Sequence, residues 1–247
     1  MAVASEQPAA RGKCPKVAAP TTGPIPAAEL LGVIQDAARA GAEVIMEAVN
    51  KPRNIHYKGV ADLVTDTDKL SELVILEVVR KTFPDHLILG EEGGGAYCNG
   101  QKIHVSKTDK VEQSLLVTGF GYEHDDAWVT NINLFKEYTD ISRGVRRLGS
   151  AAADMSHVAL GITEAYWEYR LKPWDMAAGV LIVEEAGGMV SRMDGGEFTV
   201  FDRSVLVSNG VVHDQLLDRI GPATEDLKKK GIDFSLWFKP DKYPTDF

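Results

Sequence analysis

The sequence predicts a layered α+β fold, and three observations lead to this prediction. Apolar residues near the N-terminus recur at the spacing of a helix, predicted short strands alternate with predicted helices through the second half, and the composition is that of a globular domain. Hydrophobic residues make up 44% of the 247 residues and charged residues 26%, which separates the chain from disordered sequences. We expect a flexible arm or transit-peptide remnant over residues 1–26 and one packed domain over residues 27–247.

The first half is predicted to contain two long helices. Apolar residues recur at three- and four-residue steps from about Pro26 to Ala48, which indicates a helix with one buried face. A short strand is expected over Ala61–Thr65, followed by a capped helix over about Thr67–Thr82. The apolar run Leu87–Leu89 predicts a strand that ends at adjacent carboxylates, and Asn99-Gly100 predicts a tight turn.

The second half alternates between strand and helix signals, which is why a layered domain is expected. Strands are predicted near Leu115–Thr118, Val145–Leu148, Ala165–Tyr169 and Val205–Ser208, and helices near Asp126–Thr139, Ser150–Leu160, Trp174–Glu185 and Asp214–Ile220.

Charge and composition exclude several classes of function. The net charge is −9 and no basic stripe with interleaved aromatic residues is present, so a nucleic-acid partner is not expected. No apolar run reaches the roughly 20 residues of a membrane-spanning helix. Cys14 and Cys98 form no CxxC pair, and the six histidines form no HxxxH pair, which argues against a zinc site. An acidic protein that binds an anionic substrate needs a cation between them, which points to a metal.

Acidic residues cluster in four places, and each cluster has a structural alternative. Asp68 and Asp175 fall at predicted helix starts, where a carboxylate commonly caps the helix. Glu91 and Glu92 follow a predicted buried strand, where they could bind a cation or form an exposed acidic loop. Glu168 lies on a predicted strand seven residues before Asp175. This spacing is long enough for the chain to cross a site from the end of that strand to the start of the next helix.

The order of these clusters resembles the inositol monophosphatase family. D-L-V-T-x-T-D is followed by G-E-E, then L-G-S-A-A, E-x6-W-D-x-A-A-G and E-A-G-G, across about Leu30–Asn209. The segment Gly231–Pro240 is similar to the plant plastid-type branch. The resemblance implies an αβαβα sandwich, lithium sensitivity, a possible homodimer, and Mg²⁺-dependent attack of water on a small phosphate monoester.

The resemblance also implies roles for individual residues. Glu91 and Asp175 match metal ligands, and Glu91 and Asp68 match catalytic positions, with Asp68 helping to orient the attacking water. Residues expected to contact the substrate are Gly149, Ser150 and Ala151, whose backbone N–H groups open a helix, Glu168, which matches a residue that contacts a sugar-alcohol hydroxyl, and Lys58, a basic residue near the site.

The sequence departs from the family at its central metal motif. D-P-[IL]-D-G-T-T-N-F should follow G-E-E, but Glu91-Glu92-Gly93-Gly94 runs directly into Gly95. Two bridging aspartates, a carbonyl ligand, a threonine and central strands of the first half therefore have no counterpart. Because both flanks keep the family pattern, we expect a spliced-out exon or an error of gene annotation, and impaired activity.

Three functional alternatives follow from this departure. The family reaction is hydrolysis of inositol monophosphate. A shortened, non-catalytic isoform could instead act as a subunit partner, or the substrate could be another phosphomonoester such as histidinol phosphate. The family branch predicts a chloroplast location, with the cytoplasm as the alternative.

Overall fold

A computed structural model describes residues 25–49, 51–52, 54–57, 63–83, 95–98 and 101–237. Lys58, Glu91, the predicted strand Leu87–Leu89 and the predicted turn Asn99-Gly100 lie outside these residues. The chain divides into two compact units, with the boundary between Glu91 and Glu92.

The first unit pairs two helices with a small hairpin. Helices α1 (Ala27–Ala48) and α2 (Asp66–Thr82) agree closely with the predicted helices. Strand β2 (Leu63–Thr65) pairs antiparallel with β1 (Ile55–Tyr57), a strand that the sequence did not indicate. A Cβ added at Gly41 of α1 would touch the Ile75 side chain of α2, so the two helices approach closely at this glycine.

The second unit is built on a mixed five-stranded sheet with the strand order β6-β5-β7-β9-β8. Strand β5 is parallel to β6 and β7, whereas β9 is antiparallel to β7 and β8. The elements of this unit, in chain order, are β3 (Tyr97–Cys98), β4 (Gln101–Lys102), a 3₁₀ turn (Val111–Gln113), β5 (Leu115–Thr118), α3 (Asp126–Ile141), β6 (Gly144–Arg146), α4 (Ala151–Ala159), β7 (Ala165–Tyr169), α5 (Pro173–Glu185), β8 (Met189–Ser191), β9 (Ser204–Ser208) and α6 (His213–Lys229). Strands β3 and β4 pair antiparallel, with Cys98 opposite Gln101.

Helices cover both faces of this sheet. On one face, Trp167 of β7 and Leu206 of β9 belong to the core cluster that includes residues of α3 and α6. On the other face, Tyr166 and Val205 pack in the cluster that includes residues of α4 and α5. Successive strand residues point to opposite faces, so Glu168 lies on the same side as Tyr166, toward α4 and α5. The predicted layered α+β fold is confirmed.

Two elements of the second unit differ from the sequence prediction. Helix α6 was expected to end near Ile220, but it continues through Gly221 and Pro222 to Lys229. Thr224 and Leu227 are buried beyond the proline, and this packing outweighs the hydrogen bond that Pro222 cannot donate. Strand β8 was not indicated because it has only three residues. Within the described part of the chain, no helix is long and apolar enough to cross a membrane.

Candidate active site

Glu168 is a buried carboxyl at the end of β7, on the α4 and α5 side of the sheet. Only 8% of its surface is exposed, and the Tyr166 hydroxyl donates a hydrogen bond to its Oε2. The carboxyl lies directly against the backbone of Gly119, just beyond β5, where an added Cβ would overlap Oε2. A glycine at this position is therefore required for the observed placement of Glu168.

Electrostatics around Glu168 favour its protonated form. Burial raises the pKa of its carboxyl from 4.5 to about 7. The Tyr166 hydrogen bond and the Arg147 charge oppose this rise in pKa, whereas Asp154 and Asp175 add to it. Burial also raises the pKa of Tyr166 well above its ordinary value, so the phenol keeps its proton and donates to Glu168. Asp154, Asp175 and Arg147 thus lie within electrostatic range of one buried acid.

The turn Gly149–Ala151 opens helix α4, as the sequence predicted. Gly149 has a φ of 97°, in the left-handed region that favours glycine. Ser150 is the N-cap residue, and its Oγ accepts a hydrogen bond from Ala153 N at 3.5 Å. The first N–H groups of a helix are suitable donors to a phosphate or a hydroxyl oxygen.

Asp154, in the first turns of α4, is a buried acid that the sequence analysis missed. It is 1% exposed, and neither carboxylate oxygen has a hydrogen-bond partner among the described residues. Burial raises the pKa of this carboxyl to about 6, against the opposing effect of His157 and Arg147. The only sequence signal was its place four residues after Ser150. Arg147 is exposed, but its charge lowers the pKa of both Glu168 and Asp154.

Asp175 lies in the first turn of α5, where the structural alternative, a helix cap, is observed. Its Oδ2 accepts a hydrogen bond from Lys172 N at 2.9 Å, and its own N–H donates to Lys172 O at 2.9 Å. The neighbouring Trp174 is 78% exposed. Because Asp175 also raises the pKa of Glu168, the two predicted site residues at either end of the β7–α5 loop share one neighbourhood.

Glu164, four residues before Glu168 in the sequence, has a different environment. Thr108 Oγ1 donates to Glu164 Oε1 at 3.0 Å, and Leu115 N donates to Glu164 Oε2 at 2.6 Å. Both oxygens therefore hold neighbouring segments together, and Glu164 is assigned a structural role.

Asp68 caps helix α2 in the first unit. Its Oδ2 accepts hydrogen bonds from Thr65 N at 2.7 Å and Thr65 Oγ1 at 2.8 Å, and Asp68 N donates to Thr65 Oγ1 at 3.2 Å. This reciprocal pair is a capping box. The side chain remains exposed, so the cap does not remove it from solvent. Its predicted catalytic role stays a prediction, as do the roles of Glu91 and Lys58.

The described residues do not by themselves form a binding site for two magnesium ions. Among them, no group of three or more His, Cys, Asp or Glu side chains is placed to hold a metal. Asp175 is a carboxylate of the type that Mg²⁺ binds, but Mg²⁺ requires several oxygen ligands in near-octahedral geometry. The donor set of the described residues is therefore too small for this metal.

Comparison with known proteins supports the relationship to the inositol monophosphatase family that the order of the sequence motifs indicates. The sequence profile of the inositol monophosphatase family matches residues 27–96 and 92–228. The chain is 60% identical over 299 residues to a protein named phosphatase IMPL1, chloroplastic, from Arabidopsis thaliana, covering 94% of this chain and 81% of the relative. Since 94% of 247 residues is about 232, about 67 of the 299 aligned positions have no residue from this chain.

More distant relatives agree in fold and sequence. An inositol-1-monophosphatase from Synechocystis is 34% identical, over 72% of this chain and 83% of the relative. The structure of an inositol monophosphatase from Anabaena superposes with a TM-score of 0.65 at 29% identity, covering 81% of this chain and 96% of that chain. The Thermotoga maritima enzyme superposes with a TM-score of 0.69 at 25% identity, covering 81% and 99%. With the layered sheet and the predicted motif order, these matches show that the chain belongs to the inositol monophosphatase family.

Proposed function

We propose that this protein hydrolyses inositol monophosphate to inositol and phosphate in a Mg²⁺-dependent reaction, and that its turnover is impaired. The observation that carries the substrate assignment is the buried Glu168 carboxyl, which lies within electrostatic range of Arg147, Asp154 and Asp175. A carboxyl with a pKa near 7 can accept a hydrogen bond from a polyol hydroxyl or donate one to it. This versatility suits a substrate that presents several hydroxyl groups.

The remaining residues bind and orient the substrate. The N–H groups of the Gly149–Ala151 turn donate to the substrate, Lys58 contributes positive charge, and Asp68 orients the water that attacks phosphorus. Asp175 and Glu91 are the carboxylates that would hold Mg²⁺. A Mg²⁺ ion held there would neutralise phosphate charge and lower the pKa of a coordinated water. In the reaction, a bond forms from the water oxygen to phosphorus, the P–O bond of the monoester breaks, and the inositol oxygen takes a proton.

The impairment is proposed because the metal-binding motif D-P-[IL]-D-G-T has no counterpart in the sequence. Three observations support an internal missing segment. The two matches of the family profile overlap at residues 92–96, about 67 positions aligned with the Arabidopsis relative have no residue from this chain, and the boundary between the two units follows Glu91. Mg²⁺ dehydrates reluctantly and tolerates little distortion, so losing two bridging carboxylates weakens its binding. Losing a well-placed catalytic group commonly costs about 100-fold or more in rate.

We further propose that the protein is located in the chloroplast. Support comes from the name of the Arabidopsis relative and its 60% identity with this chain. The alternative is the cytoplasm, and a fluorescent fusion of the full-length gene product distinguishes the two. A homodimer is proposed by family resemblance, and analytical ultracentrifugation tests it.

A measurement of phosphate release tests the proposed reaction. The purified chain is incubated with inositol 1-phosphate over a series of Mg²⁺ concentrations. We expect weak release of phosphate that depends on Mg²⁺ and disappears in the Asp175→Asn variant. Asp126→Asn is the matched control, because Asp126 also lies in the first turn of a helix and is exposed. Release that is insensitive to both Mg²⁺ and Asp175→Asn would contradict the proposal.

The same assay distinguishes the alternatives. Glu168→Gln should raise the KM for inositol 1-phosphate more than the KM for p-nitrophenyl phosphate, which has no polyol group. Preferential hydrolysis of histidinol phosphate would favour the second substrate class. A folded chain that is inert with every ester but co-purifies with a full-length subunit would favour the non-catalytic isoform, which the missing motif supports.

A further inference from the structure

The residues from Asp233 to Trp237, here called the C-terminal segment, lie against the loop that joins β7 to α5. The indole Nε1 of Trp237 donates a hydrogen bond to Leu171 O at 2.7 Å. Its backbone N–H donates to Phe201 O at 2.8 Å. Phe234 packs against Tyr169, with ring centroids 5.9 Å apart. The C-terminal segment is therefore attached both to the end of β7 and to the loop beyond it.

The Trp237 ring also contacts two cations. Lys172 Nζ is 3.2 Å from the ring centroid, and Arg203 Cζ is 3.5 Å from it. Each cation is attracted to the ring face. Burial and the Arg203 charge lower the pKa of Lys172, which indicates that the ammonium is partly removed from water.

Arg203 in turn holds the C-terminal segment in place. Its Nε donates to Ser235 O at 2.6 Å, and its guanidinium lies 3.4 Å from Asp233 Oδ2. The carbonyl oxygen of Arg203 accepts a hydrogen bond from Arg170 N at 2.6 Å. The β7–α5 loop, the C-terminal segment and the start of β9 thus form one network.

The start of the loop is held in an uncommon conformation. Arg170 has a φ of 67°, which is unusual for a residue with a side chain. Its guanidinium pairs with Glu123 at 2.5 Å and with Asp125. Such a conformation persists only when the surrounding contacts enforce it. The ion pairs fix the beginning of the loop, and Trp237 fixes Leu171 and Lys172 at its end.

This loop joins the two acids to which the proposed function assigns substrate and metal binding. Glu168 precedes it, and Asp175 follows it, with Asp175 Oδ2 accepting from Lys172 N at 2.9 Å. We propose that Trp237 is a positioning residue, which holds Leu171 and Lys172 so that Asp175 keeps its orientation relative to Glu168. The inference rests on the proposed function for the metal-binding role of Asp175.

Amide hydrogen exchange on the full chain tests this role without requiring turnover. In Trp237→Ala, the amides of Lys172 and Asp175 should exchange at least about 10-fold faster, because the loop opens locally. The amide of Leu206, in the centre of the sheet, should be unaffected. Trp237→Phe keeps a ring beside the two cations but loses the Nε1 hydrogen bond to Leu171 O, so it should restore only part of the protection. Leu236→Ala is the matched control, since Leu236 belongs to the same segment and is 41% exposed.

Two results would overturn the inference. Unchanged exchange at Lys172 and Asp175 in Trp237→Ala would show that the ring does not hold the loop. Equal acceleration at Leu206 would show that Trp237 stabilises the whole unit and does not position the loop. Absence of phosphate release from the unaltered chain would count against the proposed function alone, because the exchange measurement does not depend on activity.

Discussion

Replacing Glu168 by glutamine should change how the stability of the protein depends on pH. The pKa of this carboxyl rises from 4.5 to about 7 on folding, so the folded state holds a proton that the unfolded chain releases. Between these two pH values the unfolded state binds fewer protons, and the free energy of unfolding falls as pH rises. The stabilising contribution is fully present below about pH 4.5 and is lost above about pH 7.

The structure sets the size of this effect. Each pKa unit corresponds to about 1.4 kcal/mol, so the interval from 4.5 to about 7 corresponds to about 3 kcal/mol. Glu168 is 8% exposed, so solvent screens this energy little. Glutamine has nearly the same shape but does not titrate. The free energy of unfolding of Glu168→Gln minus that of the parent should therefore increase by about 3 kcal/mol between pH 4.5 and pH 7 and level off above it.

Urea denaturation of the parent and of Glu168→Gln, at matched pH values from about 5 to 8, measures the difference. Taking the difference cancels the titration of groups that the two proteins share. Tyr166→Phe provides a second comparison, because the lost hydrogen bond had lowered the pKa of Glu168. That variant should move the transition to higher pH. Parallel pH profiles for the parent and Glu168→Gln would refute the assignment of a raised pKa to Glu168.

Three further predictions concern single residues. Gly119→Ala should destabilise the protein by about 1–3 kcal/mol in urea denaturation, because the added Cβ would overlap Glu168 Oε2. Gly121→Ala is the control, because a Cβ there would meet Tyr169 O at 3.5 Å, an ordinary contact. Equal losses of stability would contradict the close approach at Gly119. Asp154→Asn should lower the pKa of Glu168, measured by ¹³C NMR of its carboxyl, because Asp154 raises that pKa; an unchanged titration would separate the two acids. Thr65→Ala should lower the free energy of unfolding by about 1 kcal/mol, because the Thr65 hydroxyl that caps α2 is lost. Thr65→Ser keeps a hydroxyl and should retain most of that stability. Equal stability of Thr65→Ala and the parent would contradict the capping role.

Most helices and strands could be predicted from the sequence because their signals come from residues close together in the chain. The spacing of apolar residues located α1, and the alternation of strands and helices located the β5, β7 and β9 core of the sheet. The sequence also indicated helix capping as the alternative to a site role for Asp68 and Asp175, and both carboxylates do accept capping hydrogen bonds. A capping carboxylate and a ligand carboxylate occupy the same place at a helix start, so sequence alone does not distinguish them.

Features that depend on tertiary contacts were not predicted. The continuation of α6 beyond Pro222 depends on the burial of Thr224 and Leu227, which the proline signal concealed. Asp154 carried no motif of its own, and its importance comes from burial beside Glu168. The contact of Trp237 with Lys172 joins residues far apart in the chain, and no local pattern indicates such a pair.

Restoring the missing segment tests the central claim most directly. A family D-P-[IL]-D-G-T segment with its accompanying strands is inserted between Glu92 and Ala96, and release of phosphate from inositol 1-phosphate is measured at several Mg²⁺ concentrations. We predict that the inserted protein turns over at least about 100-fold faster than the present chain and that Glu91→Gln or Asp175→Asn abolishes the gain. Robust hydrolysis by the present chain, unaffected by Glu91→Gln, would contradict the account.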